Sequence, residues 1–184
     1  MYRRMATNND YRLFSAYAPI DGAIVGAMWI GSFLCFVGEF MVPMLGFLGI
    51  ALGLASLYVL VYRERKFRDK VLGGVMPFGK AMLYSVQTLF HATLLLAAAQ
   101  FVYFQFIDHG YLLNQYVDTL SGPEYAKMVK DVYGVEAKQL IAILQNVTAS
   151  LRPIEVALQF LTLNVVLSIF VSIPVGAIVR RVRG

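Results

Sequence analysis

The sequence predicts an all-α membrane protein with four transmembrane helices and two extracytoplasmic amphipathic helices between spans three and four. Three observations predict it: the excess of apolar residues, four long apolar runs, and basic residues concentrated in alternate connections. Apolar residues are 59% of the 184 and charged residues 15%, whereas soluble domains average about 45–50% apolar even with Gly included and about 25% charged. Lipid is the solvent that suits such a surface.

A hydrocarbon core of about 30 Å is crossed by about 20 helical residues. The runs 14–37, 43–62, 81–107 and 154–179 all reach that length. They take up more than half the chain, so the expectation is one membrane domain, 1–184, with a helical excursion over 108–153. The first run is too long for a signal peptide and another span follows almost at once, so no cleavage is expected. The lone Cys35 excludes an internal disulfide and a Cys-rich metal site, and packing is the role expected of it.

Of the 16 basic residues, those in three groups flank the spans: Arg3, Arg4 and Arg12; Arg63, Arg65, Lys66, Arg68, Lys70 and Lys80; Arg180, Arg181 and Arg183. The link after span one has Glu39 and no cation. The connection after span three sets Lys127, Lys130, Lys138 and Arg152 against six acids, Asp108, Asp118, Glu124, Asp131, Glu136 and Glu155. The positive-inside rule then expects the N-terminus, the C-terminus and the second connection in the cytoplasm. A net charge of +5 distributed in this way points to a membrane surface and not to nucleic acid.

Span one holds Gly22, Gly26 and Gly31, and span two Gly46, Gly49 and Gly53. Small residues let helix backbones approach closely, so a tight antiparallel hairpin of these spans is expected; a homodimer through the same faces is the alternative. The stretch Arg63 to Lys80 passes from a basic run into a turn punctuated by Gly and Pro. Its candidate surface residues are Arg63, Arg65, Lys66, Phe67, Arg68, Lys70, Phe78 and Lys80, read either as contact with anionic lipid headgroups or as a cytoplasmic docking site anchored by Phe67 and Phe78.

Apolar spacing through Leu113, Tyr116, Val117 and Leu120 carries the third helix past the membrane until Ser121. Ser121-Gly-Pro-Glu124 has the form of a capping box starting a second helix. Gly134 breaks that helix, and Val135 to Leu151 resumes with Leu140, Ile143, Leu144, Val147 and Leu151 on one face. The excursion is either a cap on the outer leaflet or a surface for another molecule.

Polar side chains inside a membrane are costly, so each calls for a reason. Asp21, Gln87, His91, Asn164 and Ser168 form the candidate intramembrane cluster. Counting inward from the helix ends brings His91 level with Asn164, and Gln87 and Ser168 nearer the cytoplasm. The structural reading is an interhelical hydrogen bond from His91 to Asn164 or Ser168; the functional one is a proton or small-solute path using Asp21, Gln87, His91 and Asn164. No catalytic, cofactor-binding or metal-ligating pattern is present: two histidines lie far apart, and phosphate loops, nucleophile elbows and hydrolase-spaced carboxylates are missing. No enzyme activity and no cofactor are expected.

Tyr62-Arg63, Gly73-Gly74, Phe78-Gly79-Lys80-Ala81, the long helical excursion and the terminal Arg180-Arg181 resemble the domain-of-unknown-function family 4199 over nearly the whole chain. The resemblance implies a small multi-pass protein of the bacterial inner membrane without established activity. It also implies a non-enzymatic accessory or scaffold role beside a membrane partner such as a glycosyltransferase. A small-solute or proton permease acting as a homo-oligomer is the alternative.

Overall fold

The computed structural model describes residues 8–182, so Arg3, Arg4 and Arg183 of the charge argument lie outside the described residues. Among the described residues seven helices follow in order: α1 (Asn8–Gly38), α2 (Met44–Lys70), α3 (Phe78–Phe106), α4 (Tyr111–Ser121), α5 (Pro123–Tyr133), α6 (Ala137–Ser150) and α7 (Pro153–Val179). The helices α1, α2, α3 and α7 are long and apolar enough to cross a membrane, as the four runs predict. Two compact units result: one from the chain up to Ala99 together with the part from Gln159 onward, the other Gln100–Leu158.

In the first unit, α1 and α2 form the expected hairpin. The N–H groups of Met41 and Val42 both donate to the Gly38 carbonyl, closing α1, and Pro43 precedes α2. The Ser32 hydroxyl donates to the Gly49 carbonyl at 2.8 Å and the Trp29 indole donates to Ser56 Oγ at 2.8 Å. Polar groups within apolar helices are thus satisfied across the seam, as the lack of competing water requires.

The glycines of α1 serve a second contact. A Cβ on Gly22 would stand 2.5 Å from the Thr88 carbonyl oxygen and 2.7 Å from His91 Cβ, and one on Gly26 would stand 3.1 Å from the Ala92 carbonyl. The Gly22–Gly26 face therefore admits α3 and not α2. Gly176 does the same for α7, where a Cβ would lie 3.0 Å from the Met82 nitrogen. The α3 span is the most buried of the four and that of α7 the least, so α3 is central. Cys35 is half-buried, looser than a packing thiol should be.

Helix α2 does not stop at Tyr62, as expected, but continues through the basic run to Lys70, because inward-facing Glu64, Phe67 and Arg68 give that stretch a core to pack on. The Gly/Pro turn comes only afterwards, with Gly73 and Gly74 at φ +66° and +82°.

In the second unit, the expected projection of α3 up to Ser121 is severed. The N–H groups of Ile107 and Asp108 donate to the Tyr103 carbonyl, His109 and Gly110 turn left-handed at φ 43° and 83°, and the Asp108 carboxylate accepts from the N–H groups of Gly110 and Leu112. That carboxylate supplies the cap on which α4 starts afresh. The excursion accordingly has three helices, one more than expected. The capping box is not formed: Ser121 stays inside α4 and its hydroxyl donates to the Val117 carbonyl at 2.7 Å, which leaves Gly122 at the cap of α5 with Pro123 behind it.

Gly134 does end α5, at φ 69°, its N–H donating to the Lys130 carbonyl. Val129 and Ala137 are buried, while Ile143, expected on the packed face of α6, is exposed; the side chain of Val147 lies outside the described residues. Lys130 Nζ meets Glu136 Oε1 at 2.8 Å. That hydrogen bond is the main cause holding the Glu136 carboxyl below its usual value and the Lys130 ammonium above its own.

Candidate functional site

The polar groups of the first unit gather where the start of α1, the end of α2, the start of α3 and the end of α7 meet. Each helix brings one buried stripe. On α1 it is Phe14, Ala18, Asp21 and Val25; on α2, Ser56, Leu60, Glu64 and Phe67; on α3, Ala81, Tyr84, Ser85 and Thr88. The spacing of three and four residues is that of a helix face turned inward, and the carboxylates are carried inside because they occupy a place in it.

Asp21 is 3% exposed and held on both oxygens. Arg63 Nε donates to Oδ1 at 2.7 Å and the Tyr84 hydroxyl donates to Oδ2 at 2.7 Å, so one carboxylate joins α1, α2 and α3. Arg63 Nη2 approaches the same Oδ1 at 2.5 Å. Hydrogen bonds with a charged partner are about twice as strong as neutral ones, which suits a position that excludes water. Glu64, fully buried, accepts from the Ser85 hydroxyl at 2.8 Å on Oε2, while Oε1 has no hydrogen-bond partner.

Aromatic rings close this cluster. Phe67 and Tyr84 stack with centroids 4.1 Å apart at 3°, and Phe14 stands edge-on to both, at 5.8 Å and 5.3 Å. Three further contacts tie the chain ends. Lys80 Nζ pairs with Asp10 at 2.6 Å, Arg68 Nη1 donates to the Val179 carbonyl at 2.7 Å, and Met76 and Arg181 exchange two backbone hydrogen bonds.

This geometry redistributes the residues singled out from the sequence. Of the basic surface, Arg63, Phe67, Arg68 and Lys80 turn inward or pair internally, so Phe67 is a core ring and no docking anchor. Arg65, Lys66, Lys70 and Phe78 are exposed. Of the intramembrane cluster, Asp21 joins Arg63 and Tyr84. Gln87 and Ser168 line one apolar groove of about 380 Å³ with Tyr11, Leu83, Phe90 and Ile169.

The expected hydrogen bond from His91 to Asn164 or Ser168 is not made. His91 Nδ1 bonds the Gln87 carbonyl at 2.7 Å, Asn164 donates to the Phe160 carbonyl at 2.9 Å, and Ser168 donates to the Asn164 carbonyl at 2.7 Å. Each group finds a carbonyl one turn back on its own helix, a closer partner than any neighbour offers. Depth counting places residues along the bilayer normal but not around the helix.

Sequence reasoning missed Glu64, Tyr84 and Ser85. The signal for Glu64 was its position four residues after Leu60 in an apolar stripe, which the surrounding Arg and Lys masked. Among the described residues no three His, Cys, Asp or Glu side chains are grouped as metal ligands. A family model described as protein of unknown function (DUF4199) matches residues 21–181, which takes in every buried polar residue of the cluster. No curated protein and no solved structure matches the chain.

Proposed function

We propose that this chain, which belongs to the DUF4199 family of proteins of unknown function, is a non-enzymatic accessory or scaffold protein of the bacterial inner membrane, with both termini cytoplasmic. The observation that carries the reading is the state of Asp21. Asp21, the carboxylate that a proton path would use, is engaged on one oxygen by Arg63 and on the other by Tyr84 and so serves as a tie between three spans, with Glu64 beside it held on one oxygen by Ser85. The charged groups of the bundle act as ties between spans, and the outward faces of α1, α2 and α7 are left for lipid or another membrane protein. The cytoplasmic placement rests on the alternation of basic residues.

Two experiments on the intact protein test this. Cytoplasm-only reporters should be active at residue 68 and silent at residue 130; the opposite pattern sinks the orientation. Purification in gentle detergent should bring a second membrane polypeptide in fixed proportion, the glycosyltransferase implied by the family resemblance being the first to probe. Proton or solute flux in vesicles holding this chain alone, abolished by Asp21→Asn, would replace the scaffold with the homo-oligomeric permease.

A further inference from the structure

The end of the first unit that gathers the polar cluster also carries exposed cations that outnumber the carboxylates beside them. On the last two turns of α2, Arg63 and Arg68 face inward, and Arg65, Lys66 and Lys70 face out. The Arg68 bond to Val179 and the paired backbone bonds between Met76 and Arg181 clamp the end of the chain beside them, which brings up Arg180 and Arg181. Arg181 is 66% exposed by side chain, with Nη1 3.9 Å from Asp69 Oδ1.

Asp69 offsets little of this charge: Arg68 holds both its oxygens, at 2.8 Å and 2.9 Å, and Arg181 reaches it only at 3.9 Å. Five exposed cations are left around one neutralised carboxylate. In the helical turns just before them the surface changes character: Tyr58 and Tyr62 on α2 and Ile178 on α7 are exposed and apolar. The complementary ligand is therefore anionic at one end and apolar at the other.

We propose that Arg65, Lys66, Lys70, Arg180 and Arg181 form a binding site for the headgroup phosphate of an anionic phospholipid. Its acyl chains lie along the apolar rows of α2 and α7. The guanidinium groups of Arg65 and Arg181 suit two-pronged contact with phosphate oxygens, and Lys66 and Lys70 add point charges. A soluble polyanion would leave the exposed tyrosines and isoleucine uncovered; a lipid covers both parts. The chain end is held in register by its tether to α2 and to the α2–α3 turn, so the cations form a site and not a loose tail.

This assignment rests on the membrane-spanning reading and not on the accessory role. The full chain is reconstituted with phosphatidylglycerol and phosphatidylcholine in equal amounts, and the lipids that stay bound in detergent are counted by native mass spectrometry. Wild type should retain phosphatidylglycerol preferentially. At about fivefold per basic residue near an anionic surface, the triple variant K66Q/K70Q/R181Q should lose about a hundredfold of that preference. K66R/K70R, which keeps both point charges, should keep it, and the control pair K127Q/K138Q, on α5 and α6, should leave it intact.

The substituted side chains are exposed, so thermal unfolding should not change, and a variant that does unfold is replaced by the single substitution K70Q, expected to lose about fivefold. Equal retention by wild type and the triple variant overturns the site, as does equal loss in the control pair. Displacement of the lipid by inorganic phosphate alone overturns the lipid as the source of the anion. Loss of a co-purifying polypeptide with lipid preference unchanged assigns the surface to a protein and overturns the proposal. Loss of lipid preference with the polypeptide retained supports it, whatever becomes of the accessory role.

Discussion

Cutting the tie between Arg63 and Asp21 from either side should have unequal consequences. Asp21 is 4% exposed by side chain and Arg63 24%, so the two ions differ in how readily water reaches them once unpaired. Arg63→Met leaves a buried carboxylate with only the Tyr84 hydroxyl. Breaking a buried pair in this way costs about 3–5 kcal/mol; the partial exposure of the pair scales this to about 2–3 kcal/mol. Asp21→Asn leaves the arginine, whose long stem lets the guanidinium reach water and whose N–H groups still meet an amide oxygen, so about 1–2 kcal/mol is lost. The double variant should cost less than the sum by about 1–2 kcal/mol, the coupling expected of groups in contact. The assay is reversible unfolding in mixed micelles, read by fluorescence of Trp29, which sits on α1 against Ser56. Two results would refute the reasoning: Asp21→Asn costing more than Arg63→Met, or the two costs adding without coupling. Either would mean that the carboxylate is not held by this arginine in the membrane.

Gly22→Ala should destabilise by about 1–3 kcal/mol, because its Cβ meets backbone on α3 at 2.5 Å and the helices must part, whereas Gly26→Ala, at 3.1 Å, should cost less than half as much; the same unfolding assay ranks them. Gly79→Ala on α3 meets nothing within 4 Å and should be neutral or stabilising by up to about 1 kcal/mol. His91→Leu should cost less than about 1 kcal/mol and leave Asn164 undisturbed, since the imidazole bonds its own helix; a loss above about 2 kcal/mol would point to a partner on another helix. In the second unit the Lys130–Glu136 pair should persist at neutral pH. The Glu136 carboxyl is depressed in the fold, so its contribution is present above the ordinary carboxylate range and lost as pH falls through the depressed value. The protection of the turn from Asp131 to Ala137 against hydrogen exchange, taken relative to the intrinsic rate at each pH, should therefore fall only in acid, and Glu136→Gln should remove that dependence.

What the sequence by itself determined was set by quantities that add along the chain. Hydropathy summed over about 20 residues separates lipid from water whatever the neighbours do, so all four spans were legible, as were the hairpin of α1 and α2 and the break at Gly134. The alternation of cations with connections is of the same kind, and it supports the orientation without any contact being known. Residues 107–110 show where local reading stops: apolar spacing ran on at helical period, but one carboxylate at Asp108 and a left-handed Gly110 ended α3 and capped a new helix. Only the tertiary structure decided which way each polar side chain points. A helix buries residues by azimuth, and azimuth depends on which neighbour packs against which face. For that reason Glu64 and Phe67, embedded in a basic run, lie inside, Arg63 crosses to Asp21, and His91 turns back on its own helix. The same azimuth leaves Arg65, Lys66 and Lys70 outside, where the clamped Arg180 and Arg181 join them.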